Sequence, residues 1–408
     1  MQKTITPISH PVDAVVAVPG SKSISNRALL LAALSAGKHC LSGLLASDDT
    51  EAMAAALQAL GVQVNWDRAS AQATVQGCGG QFPNQNATID CRESGIVMRF
   101  LLAVCAAQPQ GSFRFTGAAR LCQRPVAPLL KALELQGAEF EFQNEPYHLP
   151  FTLKAQGLQG GAVVVDITQS SQFLSGLLIA APLAATTLHV DMGTLANKPY
   201  VMMTQSMMQT FKHLPQDHCY AIEPDASTAS YFFAAAALTA GKVTVPNLLR
   251  KGLQGDTRFL NLLEKMGCKI TESNDGITVV GPQKLKGLGE VSMSGFSDTF
   301  MTAAALAVYA DAPTTLTGLA HTRLQESDRV AAMAEGLQRL GIATETTEDS
   351  ITIIPGKPVG AIVDSHNDHR IAMSLALIGL KTPGVTIDGA QCVKKTCPAY
   401  FEMLERLD

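Results

Sequence analysis

Lys22, Ser23, Asn26 and Arg27 follow one another closely in the stretch Pro19-Gly20-Ser21-Lys22-Ser23-Ile24-Ser25-Asn26-Arg27, after which the chain turns wholly apolar. Side chains of these types suit the capture of a polyanion. A helix N-terminus offers unsatisfied N–H groups and a positive dipole end, and residues four apart such as Ser23 and Arg27 share one helix face. A Ser-capped helix with surface cations would read the same way. Recurrence favours the anion site: Glu326-Ser327-Asp328-Arg329 and Asn367-Asp368-His369-Arg370-Ile371-Ala372-Met373 repeat a polar head on an apolar body. Unpaired buried charge is strongly penalised, so such heads need anionic partners.

The elements that must position these heads form an internal repeat. Six segments are small, apolar and almost free of charge after their first turn: 26–37, 94–107, 171–185, 226–241, 298–310 and 368–380. Their starts recur at intervals of about 55 to 75 residues, the mark of a repeated supersecondary unit. A helix apolar all round is a buried helix. A second kind is amphipathic and ends with Gly just past the last turn, at 49–61, 125–137, 256–267 and 327–341, with shorter copies at 204–211 and 399–408; Gly there fits a left-handed cap. Short β-branched runs lie between, at 63–65, 162–167, 242–245, 276–280, 350–354 and 384–387. The sequence therefore predicts two α/β domains of three repeats each, of βαβαββ type, with buried helices inside and sheets and amphipathic helices outside. The domains are 20–222, and 1–19 together with 223–408. The chain crosses near 18–21 and 222–226, two candidate hinges, and the first strand belongs to the second domain. All six buried helices begin with polar residues: Lys22/Ser23, Glu93/Ser94/Gly95, Ser170/Ser171/Gln172, Asp225/Ser227, Asp298 and Asp368/His369/Arg370. The expectation is an active site in the interdomain cleft where these dipole ends converge, although Asp225 reads as an ordinary cap.

Composition narrows the function classes. A chain of 408 residues exceeds one ordinary core. No apolar run reaches the roughly 20 residues of a membrane span, and the first residues lack the apolar core of a signal peptide. A formal charge of −4 argues against a nucleic-acid surface. The nine cysteines are scattered without a C-x-x-C pair, which suits free thiols in a reducing cytoplasm better than disulfides or zinc. Cys122, between Arg120 and Arg124, is the candidate for a reactive thiol because cations lower a thiol pKa.

With these residues in hand, the chain resembles the 5-enolpyruvylshikimate-3-phosphate synthases over essentially its whole length. The motifs are P-G-S-K-S-x-S-N-R-A at its start, S-G-x-x-M-R-F-L at 94–101, A-R-x-x-x-R-P at 119–125, S-S-Q-F-L at 170–174 and K-P-Y at 198–200. D-A-S-x-A-S-Y-F at 225–232, Q-G-D at 254–256, E-S-D-R at 326–329, N-D-H-R-I-A-M-S at 367–374 and K-T-C-P at 395–398 complete the set. The family's fold, two inside-out α/β domains of three repeats, agrees with the periodicity. The resemblance implies transfer of the enolpyruvyl group of phosphoenolpyruvate to the 5-hydroxyl of shikimate 3-phosphate, in chorismate and aromatic amino-acid biosynthesis. It implies no cofactor, no metal, a monomer and a cytoplasmic setting. The phosphoenolpyruvate residues would be Lys22, Gly95, Arg120, Gln172, Arg329, Arg370 and Lys395. Those for shikimate 3-phosphate would be Lys22, Ser23, Arg27, Ser170, Ser171, Gln172, Asn197, Asp298, His321 and Gln325. Glu326 matches the acid that protonates the methylene carbon and Asp298 the carboxylate that polarises the 5-hydroxyl; with Lys22 and His369 they form the catalytic set.

Six positions depart from the family pattern: Ile96 and Val97 after Gly95, Phe100 after Arg99, Asn197 before K-P-Y, and Gln325 where a Lys is usual before E-S-D-R, with His321 for a usual Asn. Losing a cation that faces a dianion removes an interaction worth about 1.5–3 kcal/mol, and His321 offers a replacement when protonated. An enolpyruvyl transferase acting on another cyclitol or sugar hydroxyl therefore stays open, as does a phosphometabolite-binding protein without turnover, which retention of Asp298, Glu326, His369 and Lys395 opposes. A transferase for UDP-N-acetylglucosamine fits less well, since that family lacks the Ser23/Arg27 pairing. A P-loop reading of Gly20-Ser21-Lys22-Ser23 fails because the G-x-x-x-x-G-K-[ST] spacing is missing.

Glyphosate inhibits this family at the phosphoenolpyruvate site beside the Gly95 segment. Ile96 is bulky and stiff at χ1, and with Phe100 one turn on it would push the Gly95 backbone toward the ligand. Inhibition should be at least about tenfold weaker than in a sensitive relative, about 1.4 kcal/mol, with Ile96→Thr restoring it. An inhibition constant equal to that of sensitive enzymes refutes this.

Overall fold

The computed structural model describes residues 1–191, 198–215 and 218–408. The chain forms two compact units, Gly20–Ile222, and Met1–Pro19 with Glu223–Asp408.

One repeat shows how each unit is built. Strand Asn86–Asp90 leads into helix Gly95–Ala106, and strand Gly111–Thr116 returns parallel to it. Helix Ala127–Glu134 follows, then the antiparallel strands Glu139–Phe142 and Phe151–Ala155. The other unit repeats this order with strand Gly289–Ser292, helix Phe300–Ala307, strand Thr314–Thr317, helix Arg329–Arg339 and strands Thr344–Thr346 and Ser350–Ile353. In both four-stranded sheets the strand order is first, second, fourth, third. The amphipathic helices end as the Gly pattern requires: Gly61, Gly137, Gly267 and Gly341 all have φ between +80° and +100°, a region open to Gly at no steric cost.

The apolar helices are the cores. Every residue of Gly95–Ala106, Phe300–Ala307 and His369–Gly379 is buried. Burying a Leu or Phe completely is worth about 1.5–3 kcal/mol, so these helices draw their stability from enclosure, which the sheets and amphipathic helices provide. This is the inside-out α/β arrangement.

Several boundaries differ from the sequence expectation for local reasons. The helix expected from 26 begins at Lys22, which puts the whole polar head in its first turns. That expected from 298 begins at Phe300, after a 3₁₀ turn Ser297–Thr299. The segment 162–167 is paired only as Gly161–Val163, beside Leu188–Val190. Asp225 caps its helix by accepting the Thr228 N–H at 2.7 Å, the ordinary role expected for it.

The chain crossings complete two sheets. Strand Asp13–Val15, ahead of the first crossing, pairs in parallel with Lys242–Pro246. Strand Cys219–Ala221, ahead of the second, pairs in parallel with Ala36–Ser42. That last pairing sets Cys219 directly opposite Cys40, and the two are joined in a disulfide with their Cα atoms 4.5 Å apart. The expectation of nine free thiols is therefore corrected: residues distant in sequence meet across a strand pair whose register the cysteine count could not reveal. Cys122 is corrected as well. Its thiol is pushed above the ordinary cysteine value by burial, and it donates to the Gly117 carbonyl, so the adjacent arginines do not activate it.

Thiol titration of the unfolded, unreduced protein should return seven of the nine cysteines, and all nine after reduction. Nine thiols before reduction would disprove the bond. Because the bond joins residues 179 apart in sequence, Cys219→Ser should destabilise the fold by up to about 5 kcal/mol in the chain-entropy limit, read from denaturant melts.

Candidate active site

In the unit containing Glu223–Asp408, three cations and three carboxylates from separate repeats form one connected network. Arg329, the first residue of its helix and 2% exposed, is the hub. Its Nε donates to Asp368 Oδ2 at 2.8 Å, its Nη2 to Glu326 Oε2 at 2.9 Å and its Nη1 to Asp298 Oδ1 at 3.1 Å. Asp298 also accepts from Arg370 Nη2 at 2.7 Å, and Glu326 lies 3.3 Å from Lys395 Nζ. Burial alone would lower the Arg329 pKa, but Asp368, Glu326 and Asp298 together hold it well above the usual arginine value.

Local structure puts these groups in place. Asp328 caps the Arg329 helix through the Ala331 N–H and takes both oxygens to Arg323 Nη1, which orients the Glu326–Arg329 turn. Asp368 caps the next buried helix through the Arg370 N–H, and this cap aims Arg370 at Asp298. Asp298 is not a cap itself: both its oxygens are on arginines. His369 is fully buried beside Asp368, with Nδ1 3.6 Å from Oδ1. His321 Nε2 lies 2.9 Å from Ser297 Oγ, and the Gln325 carbonyl oxygen accepts from Arg329 Nη1. Gln325 is thus turned toward the expected phosphoenolpyruvate cation.

The unit Gly20–Ile222 holds a second group. Lys22 Nζ lies 3.4 Å from Asp49. Arg27 is 1% exposed and donates to Thr204 Oγ1 at 2.8 Å, the Ser23 carbonyl at 3.0 Å, the Tyr200 carbonyl at 3.3 Å and Ser175 Oγ at 3.4 Å. Arg99 ties three site segments together. It donates to Gln172 Oε1 at 2.7 Å and to the Pro125 carbonyl at 2.9 Å. A Cβ at Gly95 would lie 3.1 Å from its Nη1 and 3.0 Å from the Arg124 guanidinium, so Gly95 is what lets both arginines reach this helix start. Ser170 Oγ accepts the Gln172 N–H at 3.3 Å, and Ser171 is the flanking residue of that helix. Arg120 is exposed, its Nη1 near Gln123 Oε1 at 3.4 Å. Asn197 lies outside the described residues.

A model of the family described as EPSP synthase (3-phosphoshikimate 1-carboxyvinyltransferase) matches residues 6–404. The chain belongs to the EPSP synthase family. A 3-phosphoshikimate 1-carboxyvinyltransferase of Nostoc punctiforme is 39% identical over 98% of this chain and 99% of its own length. The enzyme of that name from Syntrophobacter fumaroxidans is 40% identical over 100% of both. The EPSP synthase structure from Acinetobacter baumannii superposes with a TM-score of 0.82 at 26% identity, covering 100% of this chain and 98% of that one. An enolpyruvyl transferase, NikO from Streptomyces tendae, shares the fold at 17% identity and a TM-score of 0.76.

Among the residues matched to family motifs, the structure gathers Asp298, Glu326, Arg329, Arg370 and Lys395 into one network, with His321 and Gln325 at its edge, and joins Gln172 to the Gly95 segment. Four supporting residues had no role assigned from the sequence. Asp368 was visible inside the N-D-H-R motif. Asp256, in Q-G-D, accepts from Ser227 Oγ at 2.9 Å. Arg99 sits in S-G-x-x-M-R, whereas Asp49, the partner of Lys22, carried no sequence signal. No cluster of three or more metal-ligating side chains occurs among the described residues.

Burial pushes the Asp256 carboxyl up to about 7, with the Asp298 charge adding to the effect and Arg370 opposing it. Between the ordinary aspartate value and about 7 the folded protein holds a proton that the unfolded chain has released. Stability from this group therefore falls as pH rises through that window. Asp256→Asn removes the dependence, so its melting temperature relative to wild type should climb between about pH 4 and about pH 7.5. A difference that stays constant with pH would show that Asp256 is ionised throughout.

Proposed function

We propose that the protein transfers the enolpyruvyl group of phosphoenolpyruvate to the 5-hydroxyl of shikimate 3-phosphate and releases inorganic phosphate, serving aromatic amino-acid biosynthesis as a cytoplasmic monomer. The observation that carries this reading is the Arg329 network. Two carboxylates suited to proton work, Asp298 and Glu326, are each held by two cations suited to a phosphate and a carboxylate. Whole-length relatives bearing the 3-phosphoshikimate name support the same acceptor over another cyclitol or sugar.

Bond formation joins the acceptor oxygen to the second carbon of phosphoenolpyruvate while a proton adds to its methylene carbon; loss of phosphate and of a proton from that same methyl carbon then restores the enol ether. Asp298 polarises the attacking hydroxyl and takes its proton, and Glu326 supplies the proton to the methylene carbon and takes one back as phosphate leaves. In the ligand-free protein Glu326 is engaged by Arg329 and Lys395. Substrate oxygens compete for both cations, and drawing the cations onto the substrate leaves Glu326 able to take up the proton it must deliver. Arg suits the bidentate interactions and Lys the point charge. Lys22, Ser23, Arg27, Ser170, Ser171 and Gln172 serve the acceptor, with Lys22, Gly95, Arg120 and Gln172 also serving phosphoenolpyruvate; both residue sets act in one reaction.

Phosphate release from phosphoenolpyruvate should require shikimate 3-phosphate and fail with unphosphorylated shikimate or UDP-N-acetylglucosamine. Glu326→Gln should bind both substrates yet turn over about 10²–10⁴ more slowly, the range for a lost positioned proton donor. Turnover near that of wild type would remove Glu326 from the mechanism.

A further inference from the structure

Arg27 is a buried cation with an unusual set of neighbours. Its four polar partners are two hydroxyls and two backbone carbonyls, all neutral, and no carboxylate among the described residues pairs with it. Two aromatic rings lie beside it: its Cζ is 4.9 Å from the Phe100 ring centroid and 6.0 Å from that of Tyr200. Burial lowers its pKa to about 10, with Tyr200 opposing the shift, which leaves it charged at neutral pH. Thr204, Ser175 and Phe100 are themselves fully enclosed, so the surroundings are fixed before any ligand arrives.

We propose that Phe100 is a positioning residue for acceptor binding, its ring face holding the Arg27 guanidinium in the orientation that a carboxylate ligand meets. A guanidinium has five N–H groups. Nε and Nη1 donate one hydrogen bond each and Nη2 donates two, so Nη1 keeps donor capacity for a ligand. Its direction follows from the plane of the group, and the centre of that group lies over the Phe100 ring, 4.9 Å from its centroid. A desolvated cation over a ring face is stabilised electrostatically without a competing anion. An aspartate in the same position would neutralise Arg27 and repel a carboxylate ligand, whereas a ring does neither.

The location of Phe100 adds a consequence. It belongs to helix Gly95–Ala106, the same helix whose start is packed by Arg99 and Arg124. Arg99 reaches Gln172 while the next residue faces Arg27. One rigid, fully buried helix therefore supports the acceptor cation from its body and the Gly95 segment from its first turn.

The inference rests on the proposed role of Arg27 toward the acceptor, and the test separates the two. Phe100→Leu keeps an apolar side chain but removes the ring face; 3,4,5-trifluorophenylalanine at position 100 keeps the ring and weakens only its electrostatic face. The KM for shikimate 3-phosphate should rise about tenfold in Phe100→Leu and about threefold or more in the fluorinated protein. The KM for phosphoenolpyruvate, kcat and the melting temperature of the fluorinated protein should stay within about twofold or a few degrees of wild type. An unchanged acceptor KM in the fluorinated protein overturns the proposal, as does a parallel rise in both KM values, which would mark Phe100 as packing alone. Wild-type protein that neither binds nor turns over shikimate 3-phosphate would instead overturn the acceptor reading itself.

Discussion

Arg329 is a positive charge almost wholly withdrawn from water, and the arrangement of its unit depends on how that charge is compensated. An isolated buried ion costs several kcal/mol even after relaxation. Three carboxylates from three separate segments meet this cost. Asp368 is fully buried and takes two of the guanidinium nitrogens, which makes it a structural anchor. Asp298 and Glu326 retain some exposure and are the members that a ligand can reach. The same hub that secures the fold of these helix starts therefore holds the two groups proposed to move protons.

In the unit Gly20–Ile222, Arg27 is buried by another route. The hydrogen-bond partners of Arg27 are hydroxyls and carbonyl oxygens, and two ring faces lie beside it. Neutral acceptors leave net charge for a ligand to complete, whereas the carboxylates around Arg329 must be displaced or shared. The first arrangement favours tight capture of an anion. In the second, an anion that takes a cationic N–H must draw it from a carboxylate that holds it now.

Much of this was legible in the sequence because its causes are local or periodic. The all-apolar helices announced burial, and Gly61, Gly137, Gly267 and Gly341 announced helix ends that the structure shows at positive φ. The network cations sat in motifs that resemblance could match residue by residue. What remained hidden depends on long-range register. Cys40 and Cys219 meet only because two parallel strands pair in one register, and Asp49 reaches Lys22 from a different helix. Phe100 read as added bulk beside Ile96; that its ring faces Arg27 is a property of tertiary packing.

Gln325 shows how such context changes the meaning of a substitution. Read alone, a neutral residue in place of a Lys is the loss of one cation facing a phosphate. In the structure its carbonyl oxygen accepts from Arg329, within a network whose three cations and three carboxylates balance. A Lys directed the same way would bring a fourth cation against a guanidinium in a poorly screened setting, where like charges repel strongly. The carboxamide instead supplies an acceptor. It gives Arg329 a neutral partner without adding a further anion to the network. The structural role of Gln325 is thus to orient Arg329. His321, in the same segment, is hydrogen-bonded to Ser297, the chain neighbour of Asp298, so this stretch of polar side chains lies along the network that Arg329 organises.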